Sequence, residues 1–163
     1  MVIKRPRATI VVGSEHTTKT FHDLDAFDRE RNWYIDLPWA TPKLISARNG
    51  VITMKTGQIA RHGDIEELVN LLNRLQCNGI HHRDIWTGNI VHTPDGMRLI
   101  DWETAIAGEP GAPSYDLNGP DGSSVPVPKI HQAIRSKNSP NGYSMWIGSD
   151  HPASVKTQWR QQL

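Results

Sequence analysis

The sequence predicts an α+β fold in which a small antiparallel sheet with one helix precedes a shorter, helical second part. Three observations lead there. Two pairs of β-rich runs joined by turn signals fill most of the first 60 residues, one helical pattern lies between the pairs, and a second helix is followed by another hairpin pattern. A length of 163 residues fits one domain, and 37% hydrophobic residues with six Trp suffice for a core.

Ala8–Val12 and Thr17–Phe21 are β-rich and separated by Gly13-Ser14-Glu15, so they read as two strands and a short turn. Alternation puts Thr17, Lys19 and Phe21 on one face. Asp23 is placed to cap a helix to about Tyr34 whose apolar positions are Leu24, Phe27 and Tyr34; at 100° per residue Glu30 lies beside that stripe. Lys43–Arg48 and Val51–Thr56 flank Asn49-Gly50, the strongest short hairpin signal. These are four strands and one helix. Asp64 and Glu67 then open a second helix with an apolar face of Leu68, Val69, Leu71, Leu72 and Leu75, closed by Asn78-Gly79. A further hairpin, Asn89–Thr93 and Met97–Trp102, surrounds Pro94-Asp95-Gly96. Seven of the 11 Pro and six of the 13 Gly follow Ala107, so the last third is turn-rich.

Several function classes are set aside by composition. No apolar run approaches the ~18 residues of a membrane span, and the start MVIKRPRATIVVG lacks the apolar region of a secretion signal, so a cytoplasmic setting without membrane partners is expected. Cys77 is the single Cys, which excludes an internal disulfide or a Cys-based zinc site; at a helix end it reads as a small buried hydrophobe. A net charge of +1 selects no polyanionic partner, the cluster Lys4, Arg5 and Arg7 reads as solvated, and nucleic acid is not an expected partner. His81, His82, Asp84 and His92 carry metal-ligating chemistry, but adjacent His on an extended segment point to opposite faces. Trp146 and Trp159 in the polar tail read as loop plugs.

The segment Ile80–Trp102 concentrates the chemistry. His82-Arg83-Asp84 is followed five positions later by Asn89 and, after a hairpin, by Asp101-Trp102-Glu103. The run H-R-D-I-W-T-G-N resembles the H-R-D-L-x-x-x-N catalytic loop of the protein-kinase-like phosphotransferases, with Asp101 in the place of the Asp of Asp-Phe-Gly. Trp102-Glu103 is more similar to the aminoglycoside and choline kinases, as are Gly108-Glu109-Pro110 and Tyr115-Asp116-Leu117. The Gly-rich loop is missing: only Gly13 precedes Lys19, and Met1–Ile10 reads as too short for a complete phosphate-covering hairpin.

The resemblance implies a minimal bilobal kinase-like fold over residues 1–163, with an N-lobe at 1–56, a reduced catalytic lobe at 57–118 and an extension at 119–163. It implies ATP and Mg²⁺ as cofactors, with Asp84, Arg83 and His82 catalytic. Lys19, Glu30, Met54, Asn89 and Asp101 are expected at the nucleotide, Asn89 and Asp101 as the oxygen ligands of Mg²⁺, and Asp116 behind the catalytic loop. The implied reaction is γ-phosphoryl transfer to a hydroxyl, with a protein Ser/Thr as the first expectation for the acceptor. A small-molecule kinase and a nucleotide-binding pseudokinase scaffold are the alternatives.

Overall fold

The computed structural model describes residues 1–59, 65–82, 84, 87–108 and 110, and the chain divides into two compact units. The first is built from residues 1–58 and 91–103, and the second holds the remaining described residues.

The first unit is a five-stranded antiparallel sheet against one helix. Its strands are β1 (Val2–Lys4), β2 (Ala8–Val12), β3 (His16–Phe21), β4 (Leu44–Arg48) and β5 (Val51–Lys55), in the order β1-β2-β3-β5-β4. The sequence led to four strands here. Val2, Ile3 and Lys4 add a fifth by pairing with Val11, Ile10 and Thr9, so a β1–β2 hairpin does form and Lys19 stands on the third strand, not the second. A three-residue strand is too short to show periodicity, and only its partner β2 specifies it. Asn49 and Gly50, with φ of 53° and 73°, make the primed turn that the twist of β4 and β5 demands. Helix α1 (Leu24–Asp36) starts at Asp23, whose carboxylate accepts from the Asp25 and Ala26 N–H groups. It buries Ala26, Phe27, Glu30 and Tyr34 on the side facing β3, β4 and β5, and Phe27 meets Phe21 edge-on with ring centroids 5.7 Å apart.

A three-stranded sheet of order β6-β8-β9 follows, formed by β6 (Gln58–Ile59), β8 (Ile90–Thr93) and β9 (Gly96–Leu99). Val91, Met97 and Leu99 are buried, and the Leu99 N–H donates to the Ala40 carbonyl at 2.8 Å, which ties the end of β9 to the segment after α1. Alternation stops at Leu99. Trp102, expected at the end of this strand, lies in a 3-10 turn over Trp102–Thr104, because Asp101 takes a positive φ and redirects the chain.

In the second unit α2 (Ile65–Cys77) buries Leu68, Leu71 and Leu75, and Gly79 at φ 67° ends it as the expected cap. Cys77 is exposed, not buried: it is two residues past Leu75, hence ~200° around the helix from the apolar stripe. The strands β7 (Ile80–His81) and β10 (Ile106–Ala107) pair antiparallel. Asn89 closes a 3-10 turn over Thr87–Asn89 instead of opening the strand. Asp64, Trp86, Trp146 and Trp159 lie outside the described residues. Among the described residues no helix is long and apolar enough to cross a membrane.

Candidate active site

Lys19 is buried because its strand register demands it. It shares the inward side of β3 with Phe21, between Ile10 of β2 and Ile52 of β5, and only 5% of it is exposed. Glu30 is wholly buried on the inward stripe of α1. A lone charge in either place would be prohibitively costly. They meet instead: Lys19 Nζ donates to Glu30 Oε2 at 2.7 Å and to Asp101 Oδ1 at 2.5 Å, and lies 4.8 Å from the centre of the Phe21 ring. Burial by itself would lower the Lys19 pKa, but the two carboxylates outweigh it and hold the ammonium charged beyond its usual range. Burial pushes the Glu30 carboxyl up to about 7 against the pull of Lys19, and the Asp101 charge adds to the rise. Glu30 Oε1 is buried with no hydrogen-bond partner. Met54, 4% exposed on β5, accepts the Tyr34 hydroxyl at its sulfur, 3.0 Å away.

Asp101 stands two residues past β9 with φ at 70°, left-handed backbone that Asp tolerates better than most residues and that concentrates at functional sites. The turn is tied on both sides. On one, the buried Trp102 indole donates to the Leu99 carbonyl at 2.7 Å, closing a loop around Ile100 and Asp101, while its ring lies 6.1 Å from that of Trp33 on α1. On the other, Arg29 Nε donates to the Glu103 carbonyl at 3.1 Å, and Arg7 Nη1 lies 3.6 Å from Glu103 Oε1. Glu30, Asp101 and Glu103 each place a carboxylate oxygen within 4.8 Å of the others. Burial raises the Glu103 pKa, with Asp101 contributing and Lys19, Arg7 and Arg29 opposing. Hard oxygen donors in such a group suit a hard divalent cation such as Mg²⁺. The contacts of Trp102, Glu103, Arg7 and Arg29 escape the sequence reading, and Arg7, expected to be solvated, is half-exposed and paired with Glu103. The trace of Trp102 and Glu103 is that Trp-Glu stands where Phe-Gly is expected; the two arginines reach Glu103 from distant parts of the chain, which no local pattern records.

The second unit holds His82, Asp84 and Asn89, all nearly inaccessible to solvent. Asn89 Nδ2 donates to both the carbonyl and the Oδ2 of Asp84 at 2.9 Å, which fixes the carboxylate and leaves Oδ1 as the Asn89 atom with which a cation would be held. The Asp84 N–H donates to His82 Nδ1 at 3.3 Å, and the Thr104 hydroxyl donates to the His82 carbonyl at 3.3 Å. His82 is therefore a bracket for the loop at Asp84. Arg83 and Asp116 lie outside the described residues.

Residues 16–118, a stretch that includes Lys19, Glu30, Asp84, Asn89 and Asp101, match the phosphotransferase enzyme family, APH. The chain belongs to that family. Among solved structures it is similar to the Rio2 kinase of Chaetomium thermophilum, crystallised as an ADP/Mg²⁺-phosphoaspartate complex, with a TM-score of 0.56 at 13% identity. The match covers 98% of this chain and 60% of that kinase, so the chain spans three-fifths of its length. The likeness is one of fold, and it makes the α+β architecture of this family member protein-kinase-like. No curated protein sequence matches the chain.

Proposed function

We propose that this phosphotransferase-family member moves the γ-phosphoryl group of ATP to a hydroxyl with Mg²⁺ as cofactor, in a cytoplasmic setting, and that the acceptor is a Ser or Thr of a protein. The observation that carries this reading is the Lys19–Glu30–Asp101 network, in which a buried ammonium is held charged by one wholly buried carboxylate and one carboxylate whose side chain is 40% exposed. A cation so placed suits phosphate oxygens, and a half-exposed carboxylate beside it suits the metal that accompanies them. Bound Mg²⁺ supplies neutralisation of the charge that develops on the transferring group.

In this reading Lys19 holds the α- and β-phosphates, Glu30 orients Lys19, and Met54 borders the nucleotide. Asp101 and Asn89 contribute oxygens to the metal. Asp84 orients the acceptor hydroxyl and takes its proton as the oxygen–phosphorus bond forms and the γ-phosphoryl group leaves ADP. His82 and Arg83 act with Asp84 in catalysis, and Asp116 anchors the loop that carries Asp84. A small-molecule hydroxyl is the second reading, favoured by the buried Trp102 followed by Glu103 where protein kinases have Phe-Gly.

Incubation with γ-labelled ATP and Mg²⁺, with and without lysate, tests the proposal. Label on protein bands is expected; label in small molecules moves the acceptor to the second reading, and ATP binding without turnover turns the chain into a nucleotide-binding scaffold. Asp84→Asn is expected to lower turnover by orders of magnitude with ATP affinity nearly unchanged, and Asp101→Asn to abolish it with the fold intact. Near-normal turnover in either variant removes that residue from the mechanism.

A further inference from the structure

We infer that Arg7, in the turn between β1 and β2, is a phosphate-binding residue whose guanidinium exchanges the Glu103 carboxylate for a phosphate oxygen of the nucleotide; this rests on the reading of the Lys19–Asp101 network as a nucleotide site.

The turn is built to present that side chain. The Arg5 N–H donates to the Ala8 carbonyl at 2.8 Å, the His22 N–H donates to the Arg7 carbonyl at 2.7 Å, and the His22 ring nitrogen Nδ1 lies 3.3 Å from the Pro6 carbonyl. Pro6 fixes its own φ besides. The main chain of Arg7 is thus tied down, and the long side chain is the part left to move. At 45% side-chain exposure and 3.6 Å, its pairing with Glu103 is loose and half in water, the kind of ion pair that contributes little and exchanges easily. Glu103 lies two residues past Asp101, and its carboxylate lies within 4.8 Å of those of Glu30 and Asp101, the two that hold Lys19. Arg29 is committed differently, through its Nε to the Glu103 main chain. Arg7 is therefore the guanidinium at the rim of the acidic cluster that a ligand can recruit.

Chemistry gives the ligand class. A guanidinium forks onto two oxygens of one phosphate, and the turn Arg5-Pro6-Arg7 holds no glycine that would let main-chain N–H groups approach a phosphate closely. A long cationic side chain serves the purpose that bare backbone serves in a Gly-rich loop. The ligand is the polyphosphate of a nucleoside triphosphate.

Calorimetric titrations of the full chain with ATP, inorganic tripolyphosphate and adenosine, each with Mg²⁺, test this. Arg7→Gln is expected to weaken ATP and tripolyphosphate about tenfold and adenosine less than twofold, with Arg7→Lys in between because an ammonium does not fork. Arg48→Gln, which removes an exposed cation at the opposite edge of the same sheet, is expected to change nothing. Tripolyphosphate binding as tight in Arg7→Gln as in the wild type overturns the inference, and so does an equal loss in Arg48→Gln, which would make the effect one of general charge. Lys19→Met separates this from the underlying reading: loss of ATP affinity there with none in Arg7→Gln rejects Arg7 alone, whereas ATP affinity undiminished in Lys19→Met rejects the nucleotide site itself.

Discussion

Lys19 bridges two carboxylates at once, and its removal leaves them in unequal positions. Asp101 can turn to water, its side chain being 40% exposed, whereas Glu30 is wholly buried. In Lys19→Met the Glu30 carboxyl loses the cation that lowers its pKa and moves further above the value of about 7 that it has beside Lys19. Between its ordinary 4.5 and that raised value the folded chain keeps the proton that the unfolded chain has lost, so the unfolded state binds fewer protons and stability falls as pH rises. Urea unfolding of Lys19→Met is therefore expected to show stability that goes on falling above pH 7, where the wild type has already lost the Glu30 proton, so that the deficit against wild type grows from there toward ~3–5 kcal/mol, the cost of a broken buried pair. Adding Glu30→Gln should flatten the slope; a slope that survives would trace it to another group. Lys19 and Glu30 were legible in the sequence because strand alternation and helical angle each turn a charge inward, and inward charges must pair. Glu103 and Arg7 were not, since nothing in local pattern tells a charge at the rim of a site from one in solvent.

The turn at Asp101 is the element that departs most from its sequence expectation, and the Trp102 indole bond accounts for it. Trp102→Phe keeps the ring against Trp33 but leaves the Leu99 carbonyl without its indole donor. A loss of ~1–3 kcal/mol is expected in thermal melts, the cost of an unsatisfied buried acceptor. Unchanged stability would mean that the left-handed backbone at Asp101 is kept by packing alone. The α1 helix and the β4–β5 hairpin were legible because Asp23 and Asn49-Gly50 are chemically specific to a cap and a primed turn. The register shift between Leu44 and Ser46 in β4 left no trace, because a bulge is a property of the ladder and not of one strand.

At the scale of the whole molecule, the first unit is assembled from two stretches separated by more than 30 residues, 1–58 and 91–103. The second stretch brings Asp101, the buried residues Val91, Met97, Leu99 and Trp102, and the Leu99–Ala40 bond. A fragment ending at residue 90 is expected to lack a cooperative urea transition and to bind hydrophobic dyes, since α1 and the sheet keep their apolar faces without this cover. A sharp transition would show that residues 1–58 fold without it. The kinase-like class was legible as a family resemblance of the run from His82 to Asn89 and of Asp101, but the division of the first unit between two stretches was not, because sequence order hides which distant stretch closes a core. The discontinuity also bears on synthesis. While a ribosome is still making residues 59–90, Lys19 and Glu30 have only each other, and the first unit gains its third charged partner and its Trp102 cover when the stretch to Glu103 emerges, so chaperone demand is expected to be greatest in that interval.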